Sequence, residues 1–334
     1  MATLSDRHPT LLDVTKRLDP SGKVDKIAEI LAQTNPVLDD LVVLEGNLPT
    51  GHRTTVRTGL PKATWRKMYG GVPPEKSTTA QITDTAGMLE AYAEVDKALA
   101  DLNGNTSEFR LSENVPFIEG MNQEVTQTIF YGNEKATPEE FTGLSPRFND
   151  RTAPSGSNII THAATPDGTD NASIWLAVWG ANTGFLIYPK GSKAGLAMED
   201  KGQVTIENVD GNGARMEAYR THYKWDCGLC IRDWRYFVRI QIDLEDVGEI
   251  TPTYTGPRLD NLMRKAMRRI PTLSMGRPVF YANRDVLDAM DIQAASKSTL
   301  AFKSIEDSQG KLVDTFMGVP IRRCDALLST EAGI

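Results

Sequence analysis

Two short segments, Arg53-Thr-Thr-Val-Arg-Thr58 and Ser77-Thr-Thr-Ala-Gln-Ile-Thr83, decide how this chain is read. Both have strand composition, β-branched and alternating, and Gly59, Pro61, Gly70, Gly71, Pro73 and Pro74 separate them with turn formers. The pattern predicts a long antiparallel hairpin over Gly46 to Thr85. Such a ribbon has no core of its own, and an isolated two-stranded hairpin is marginal in water. Its partner surface must therefore come from elsewhere, and a second copy of the chain is the simplest source.

Working outward, the first fifteen or so residues are polar and without period, as in an extended arm. Asp19 and Pro20 can then open a helix on which Val24, Ile27, Ala28 and Leu31 share a face before Pro36 ends it. Past the hairpin, Gly87 to Leu102 fits two periods. Leu89, Ala91, Ala93 and Val95 alternate as in a strand, while Met88, Tyr92, Val95, Leu99 and Leu102 fit a helix. Asn103-Gly-Asn105 breaks the chain. Leu111, Val115, Ile118, Val125 and Ile129 then repeat at helical spacing, giving a long helix over about 107–131, with Pro116 and Gly120 expected to bend or restrict it. Residues 144–250 read as mainly β, with a turn at Asp210 to Gly213. Further on, Leu259, Leu262, Met263, Ala266, Met267 and Ile270 form one helical stripe, and Arg264, Lys265, Arg268 and Arg269 lie off it.

Composition narrows the function. The chain has 334 residues, 40% hydrophobic and 24% charged, which suits a folded protein of about two domains. A net charge of −7 argues against tight binding to nucleic acid, so any DNA is contacted only weakly. No window is long and apolar enough for a membrane span. Three cysteines are too few for a disulfide framework, and a reducing cytoplasm fits them.

Cys227-Gly-Leu-Cys230 looks like a redox dithiol, and a cytoplasmic thiol redox enzyme is accordingly one reading. The surrounding Tyr223, Trp225, Cys227, Leu229 and Ile231 alternate with polar or small neighbours, however, so the segment is a strand. Residues three apart on a strand point to opposite faces, and the two sulfurs cannot meet. The four histidines are scattered, and no phosphate loop, nucleophile elbow or calcium loop occurs. No catalytic, cofactor or metal site is expected. The basic face around Arg264 reads best as a solvated helix surface.

Several strings, in order, resemble the major capsid proteins of tailed phages with the Hong Kong 97-like fold, in particular the short-tailed epsilon-fifteen-like subgroup. They are Thr58-Gly-Leu-Pro61, Lys76-Ser-Thr-Thr-Ala-Gln81, Ala100-Asp-Leu-Asn-Gly-Asn105, Met121-Asn-Gln-Glu124 and Phe130-Tyr-Gly-Asn133. Pro138-Glu-Glu-Phe-Thr-Gly-Leu144, Gly228-Leu-Cys-Ile-Arg-Asp-Trp-Arg-Tyr236, Gly276-Arg-Pro-Val-Phe-Tyr-Ala-Asn283 and Gly318-Val-Pro-Ile321 complete the set.

The resemblance implies an α+β subunit with four parts. These are an N-terminal arm and first helix over 1–45, an extended β-hairpin loop over 46–85, a peripheral domain with spine helix and β-rich region over 86–250, and a mainly axial α/β domain with closing strands over 251–334. It further implies a virion capsid built in the host bacterial cytoplasm from hexamers and pentamers. The chain begins almost directly with the arm, so a separate scaffold protein is expected, together with a portal and a decoration protein. A shell of the encapsulin type, enclosing cargo instead of a genome, is the alternative with the same fold. Within the hairpin, Arg53, Arg57, Trp65 and Arg66 are the candidate intersubunit contacts, because arginines and aromatics dominate interface hot spots.

Overall fold

The computed structural model describes residues 32–104, 106–161, 168–207, 213–244, 258–295, 302–306 and 312–334. The expected arm, the helix after Pro20 and most of the Asp210 to Gly213 turn lie outside them. In chain order the elements are α1 (Val37–Asp40), β1 (Val43–Glu45), β2 (Gly51–Gly59), β3 (Thr78–Thr85), β4 (Gly87–Asp96), α2 (Lys97–Ala100) and α3 (Thr106–Tyr131). Then come β5 (Ile159–Thr161), β6 (Asn171–Trp179), β7 (Gly184–Tyr188), β8 (Ala197–Glu207), β9 (Arg215–Ile231) and β10 (Phe237–Asp243). The chain closes with α4 (Leu259–Arg269), β11 (Arg277–Ala282), α5 (Arg284–Ala295), β12 (Phe302–Glu306), β13 (Leu312–Phe316) and β14 (Val319–Arg323).

The 17-residue β9 organises the first sheet. One edge pairs antiparallel with β4, from Gly87↔Cys227 to Asp96↔Ala218. Along the other edge β8 pairs with the first part of β9, as Glu207↔Arg215 to Ala197↔Lys224, and β7 with its end, as Ile187↔Gly228 to Gly184↔Ile231. Parallel pairing of β1 with β7 completes five strands. Gly87 to Asp96 is thus a strand, which settles its double period. Ala93 and Val95 are buried, whereas Met88 and Tyr92, two members of the competing helical set, are exposed.

The second sheet has the order β12-β13-β14-β11-β6-β10-β5. All nine residues of its interior strand β6 are buried, among them Ile174, Trp175, Leu176, Val178 and Trp179. Each large apolar side chain so buried contributes about 1.5–3 kcal/mol. Helix α4 packs on β10 and against α5. Leu259, Met263, Ala266 and Ile270 of the expected stripe are buried, and Arg264, Lys265 and Arg268 are exposed. Arg269 leaves that basic face to donate to the backbone oxygens of Ser157 and Ile159. Between β13 and β14, Met317 and Gly318 both take left-handed conformations, at φ 51° and 86°, which gives the Gly318-Val-Pro region its tight turn.

Helix α3, 26 residues long and containing Pro116, couples the two sheets. Its first half lies on the five-stranded sheet, where Phe117 stacks on Tyr223 at 6.0 Å and Phe109 packs with Val95. The second half enters the main core through Val125, Ile129 and Phe130, the last 6.3 Å from Trp175. A buried polar knot fixes the helix end and the C-terminal segment together. Arg239 Nη2 donates to Glu331 Oε2 at 2.8 Å and Tyr131 Oη donates to Glu331 Oε1 at 2.5 Å, while Ser173 Oγ also donates to that carboxylate. Both members of the ion pair are almost fully buried, so each depends on the other for its charge compensation.

Candidate assembly surface

Strands β2 and β3 form a separate two-stranded sheet with register Gly51↔Thr85 to Arg57↔Thr79, slipping once before Gly59↔Thr78. The hairpin is rooted firmly in the subunit. Gly51 has φ 156°, and a Cβ there would stand 2.0 Å from the Asp84 carbonyl oxygen, so only glycine fits. Asn47 clamps the start of β2, accepting from Arg53 N at 2.7 Å and donating to Arg53 O at 2.8 Å. Across the ribbon, the buried Asp84 carboxylate pairs with Arg147 at 2.8 Å, and Arg147 also donates to Thr142 O and Leu229 O. Thr54 is buried beside Cys230, 3.7 Å from its sulfur. His52 packs edge-on to Phe185 at 5.5 Å, and burial holds its imidazole pKa below the ordinary value.

Beyond that root the hairpin has no cover. Thr78 to Thr83 are exposed on both faces of β3, and the connection from Leu60 to Ser77 contains no further helix or strand. The tip has some internal order: Lys62 N donates to Glu75 Oε2 at 2.5 Å, and Arg66 Nε donates to Gly70 O at 2.8 Å. Tyr69 takes φ 57°, which is uncommon for a tyrosine. Trp65 and Tyr69 are as exposed as in a free peptide, at 101% and 102%, and Met68 and Leu60 reach 89% and 77%.

The four residues singled out from the sequence divide accordingly. Arg53 sits near the root, where its Nε donates to Thr83 Oγ1 at 3.2 Å, and Arg57 is exposed further along β2. Trp65 and Arg66 lie together in the tip. Leu60, Met68 and Tyr69 were not among the sequence candidates. Their signal was present but faint: large apolar residues in a glycine- and proline-rich stretch that has no period to place them on a core face.

The dithiol reading fails on geometry. Cys227 joins the main core, while Cys230 packs with Phe185 and Ile187 on the other side of the sheet. Burial pushes both thiols up to about 12, so they are protonated at neutral pH and are not nucleophiles. Among the described residues no three His, Cys, Asp or Glu side chains are placed to share a metal ion. Nor is any described helix long and apolar enough to cross a membrane.

A body of two coupled sheets, a long helix lying across them and a ribbon projecting beyond the core is the Hong Kong 97-like shell-subunit fold. The comparisons make the assignment specific. The family described as Major capsid protein GP7 matches residues 19–334, and the chain belongs to that family of phage capsid proteins. The solved capsid structure of bacteriophage Epsilon15 is 36% identical, with 99% of each chain covered and a TM-score of 0.76. The capsid of a native GTA particle is 10% identical over 68% of this chain and 95% of its own, with a TM-score of 0.47. The holo-SrpI encapsulin complex of Synechococcus elongatus PCC 7942 is 12% identical over 75% of this chain and 100% of its own, with a TM-score of 0.42. No curated protein matches the chain. The protein is thus a virion shell subunit.

Proposed function

We propose that the chain assembles with copies of itself, as hexamers and pentamers of a closed shell around double-stranded DNA, and that the hairpin over 46–85 lies on a neighbouring subunit. The carrying observation is the contrast within that ribbon. Its root is tied down by Asp84, Arg147 and Asn47, while Leu60, Trp65, Met68 and Tyr69 at its tip are exposed. A monomer gains nothing by fixing so much apolar surface in water, whereas an interface buries it. Arg53, Arg57, Trp65 and Arg66 are the proposed contacts, extended by Met68 and Tyr69.

In the same reading the protein's role is structural and not catalytic, a reading supported by its membership of the capsid family. A separate scaffold protein guides assembly, a decoration protein and portal complete the particle, and DNA is contacted only weakly, in keeping with the net charge of −7. We assign the five-stranded sheet and α3 to the peripheral part and the seven-stranded sheet with α4 and α5 to the axial part. Strands β5, β6 and β10 then belong with the axial strands despite falling within residues 86–250.

The test is a Trp65→Ala, Tyr69→Ala double variant, assayed by sedimentation and electron microscopy with and without scaffold. Folded subunits that fail to close shells are expected. Shells formed at the unaltered yield would refute the docking of the hairpin tip.

A further inference from the structure

Charge is unevenly placed along this chain. It holds 37 Lys and Arg against 44 Asp and Glu, yet α4 and the arginine before it, 258–269, carry five basic residues and a single acid, Asp260. That acid is already engaged: it is buried, and Arg258 grips it through Nε at 3.1 Å and Nη2 at 2.9 Å. Arg269 is turned inward onto the backbone oxygens of Ser157 and Ile159. Arg264, Lys265 and Arg268 remain. All three are exposed, and none has a carboxylate partner among the described residues.

A basic helix face is ordinarily relieved by acids three or four residues away. On α4 the opposite holds. Arg264 lies four residues before Arg268, and Lys265 four before Arg269, so like charges stack at the spacing that destabilises a helix. The negative end of the helix dipole compensates only the last turn. Leu259, Met263 and Ala266 fix the other face in the core, so the helix cannot roll its cations elsewhere. We propose, on the reading of the chain as a shell around double-stranded DNA, that Arg264, Lys265 and Arg268 are the contact for the phosphates of the packaged duplex. Arg264 to Arg268 rises about 6 Å, and a duplex carries one charge per ~1.7 Å of its axis, so the long side chains always find phosphates in reach. The acidic remainder of the chain repels the duplex elsewhere. Binding is therefore weak for each subunit, independent of base sequence, and strengthened by the number of copies.

The experiment titrates a short mixed-sequence DNA duplex into full-length subunits, native or carrying Arg264→Gln, Lys265→Gln and Arg268→Gln, across a salt series. Three phosphate contacts predict that native affinity falls about 40-fold between roughly 50 and 200 mM salt, and that the variant loses most of its binding and of this salt dependence. A control variant removes the same number of charges from exposed lysines elsewhere, as Lys135→Gln, Lys190→Gln and Lys193→Gln, and should bind as the native chain does. Equal losses in both variants would reveal an effect of net charge alone and overturn the proposal, as would native subunits that do not bind the duplex. Lys265 gives a second reading without any substitution: its amine should be protected from a small acylating reagent in DNA-filled particles and reactive in emptied shells. Protection in both would assign the stripe to a contact with a neighbouring copy, and reactivity in both would leave it in solvent; either result overturns the proposal. A chain that forms no shells under any condition would break the shell reading itself, whereas closed shells with Lys265 unprotected by DNA break this inference alone.

Discussion

Strand β6, Asn171-Ala-Ser-Ile-Trp-Leu-Ala-Val-Trp179, and strand β3, Thr78-Thr-Ala-Gln-Ile-Thr-Asp-Thr85, are both regular strands, yet they stand at opposite extremes of burial. All nine residues of β6 are buried, between β10 on one side and β11 on the other. Strand β3 exposes its first six residues on both faces and is buried only at Asp84, where it meets the body. Identical backbone geometry thus serves two purposes. Around β6 the free energy of burial is gained when the subunit folds; along the hairpin, on the docking proposed above, it is gained when a second subunit is present. A residue's contribution to stability and its contribution to assembly should therefore separate cleanly between the two regions.

The largest effect belongs to the core. Trp175→Ala removes a fully buried indole in contact with Phe130 and Phe148, and should cost about 3–5 kcal/mol, measured by denaturant unfolding of the subunit. A loss below 1 kcal/mol would mean that β6 is not the centre of the folding unit. Nearly as severe should be Glu331→Ala, which leaves the Arg239 guanidinium buried without its carboxylate at a cost of about 3–5 kcal/mol. The C-terminal segment and the end of α3 should loosen together, seen as faster deuterium exchange at both; loosening of one alone would show that the knot does not couple them.

An intermediate effect is expected at the hairpin root, where the two regions meet. Asp84→Ala leaves Arg147 with carbonyl partners only, and should cost about 1–3 kcal/mol while speeding amide exchange in β2 and β3. Unchanged exchange would indicate that Asn47 and the ladder alone hold the ribbon. The tip comes last in this order: its exposed side chains should change subunit stability by less than about 0.5 kcal/mol.

Much of this division was legible in the sequence. Glycine and proline punctuation between two alternating segments specified the hairpin, and the period of Tyr223 to Ile231 separated Cys227 from Cys230. Periodicity also located α3 and the buried stripe of α4. It could not say what covers a face: the single stripe expected along α3 is buried at Val125 and Ile129 but exposed at Leu111, Val115 and Ile118. Long-range pairing was equally hidden. Gly87 to Asp96 satisfied two periods, and its partner in β9, more than a hundred residues away, selected the strand. Likewise nothing local marks Arg239 and Glu331 as partners, since their meeting depends on the folded sheet and the path of the C-terminal segment.

The separation of folding from assembly is tested most directly by replacing Gly59 to Pro74 with a short glycine-serine turn that preserves the root at Thr54, Asp84 and Arg147. Circular dichroism melting of the subunit and sedimentation of its assembly products are then followed side by side. A subunit that melts at nearly the native temperature and forms no closed shells is the predicted result. A subunit that no longer folds, or one that still builds normal shells, would contradict the account.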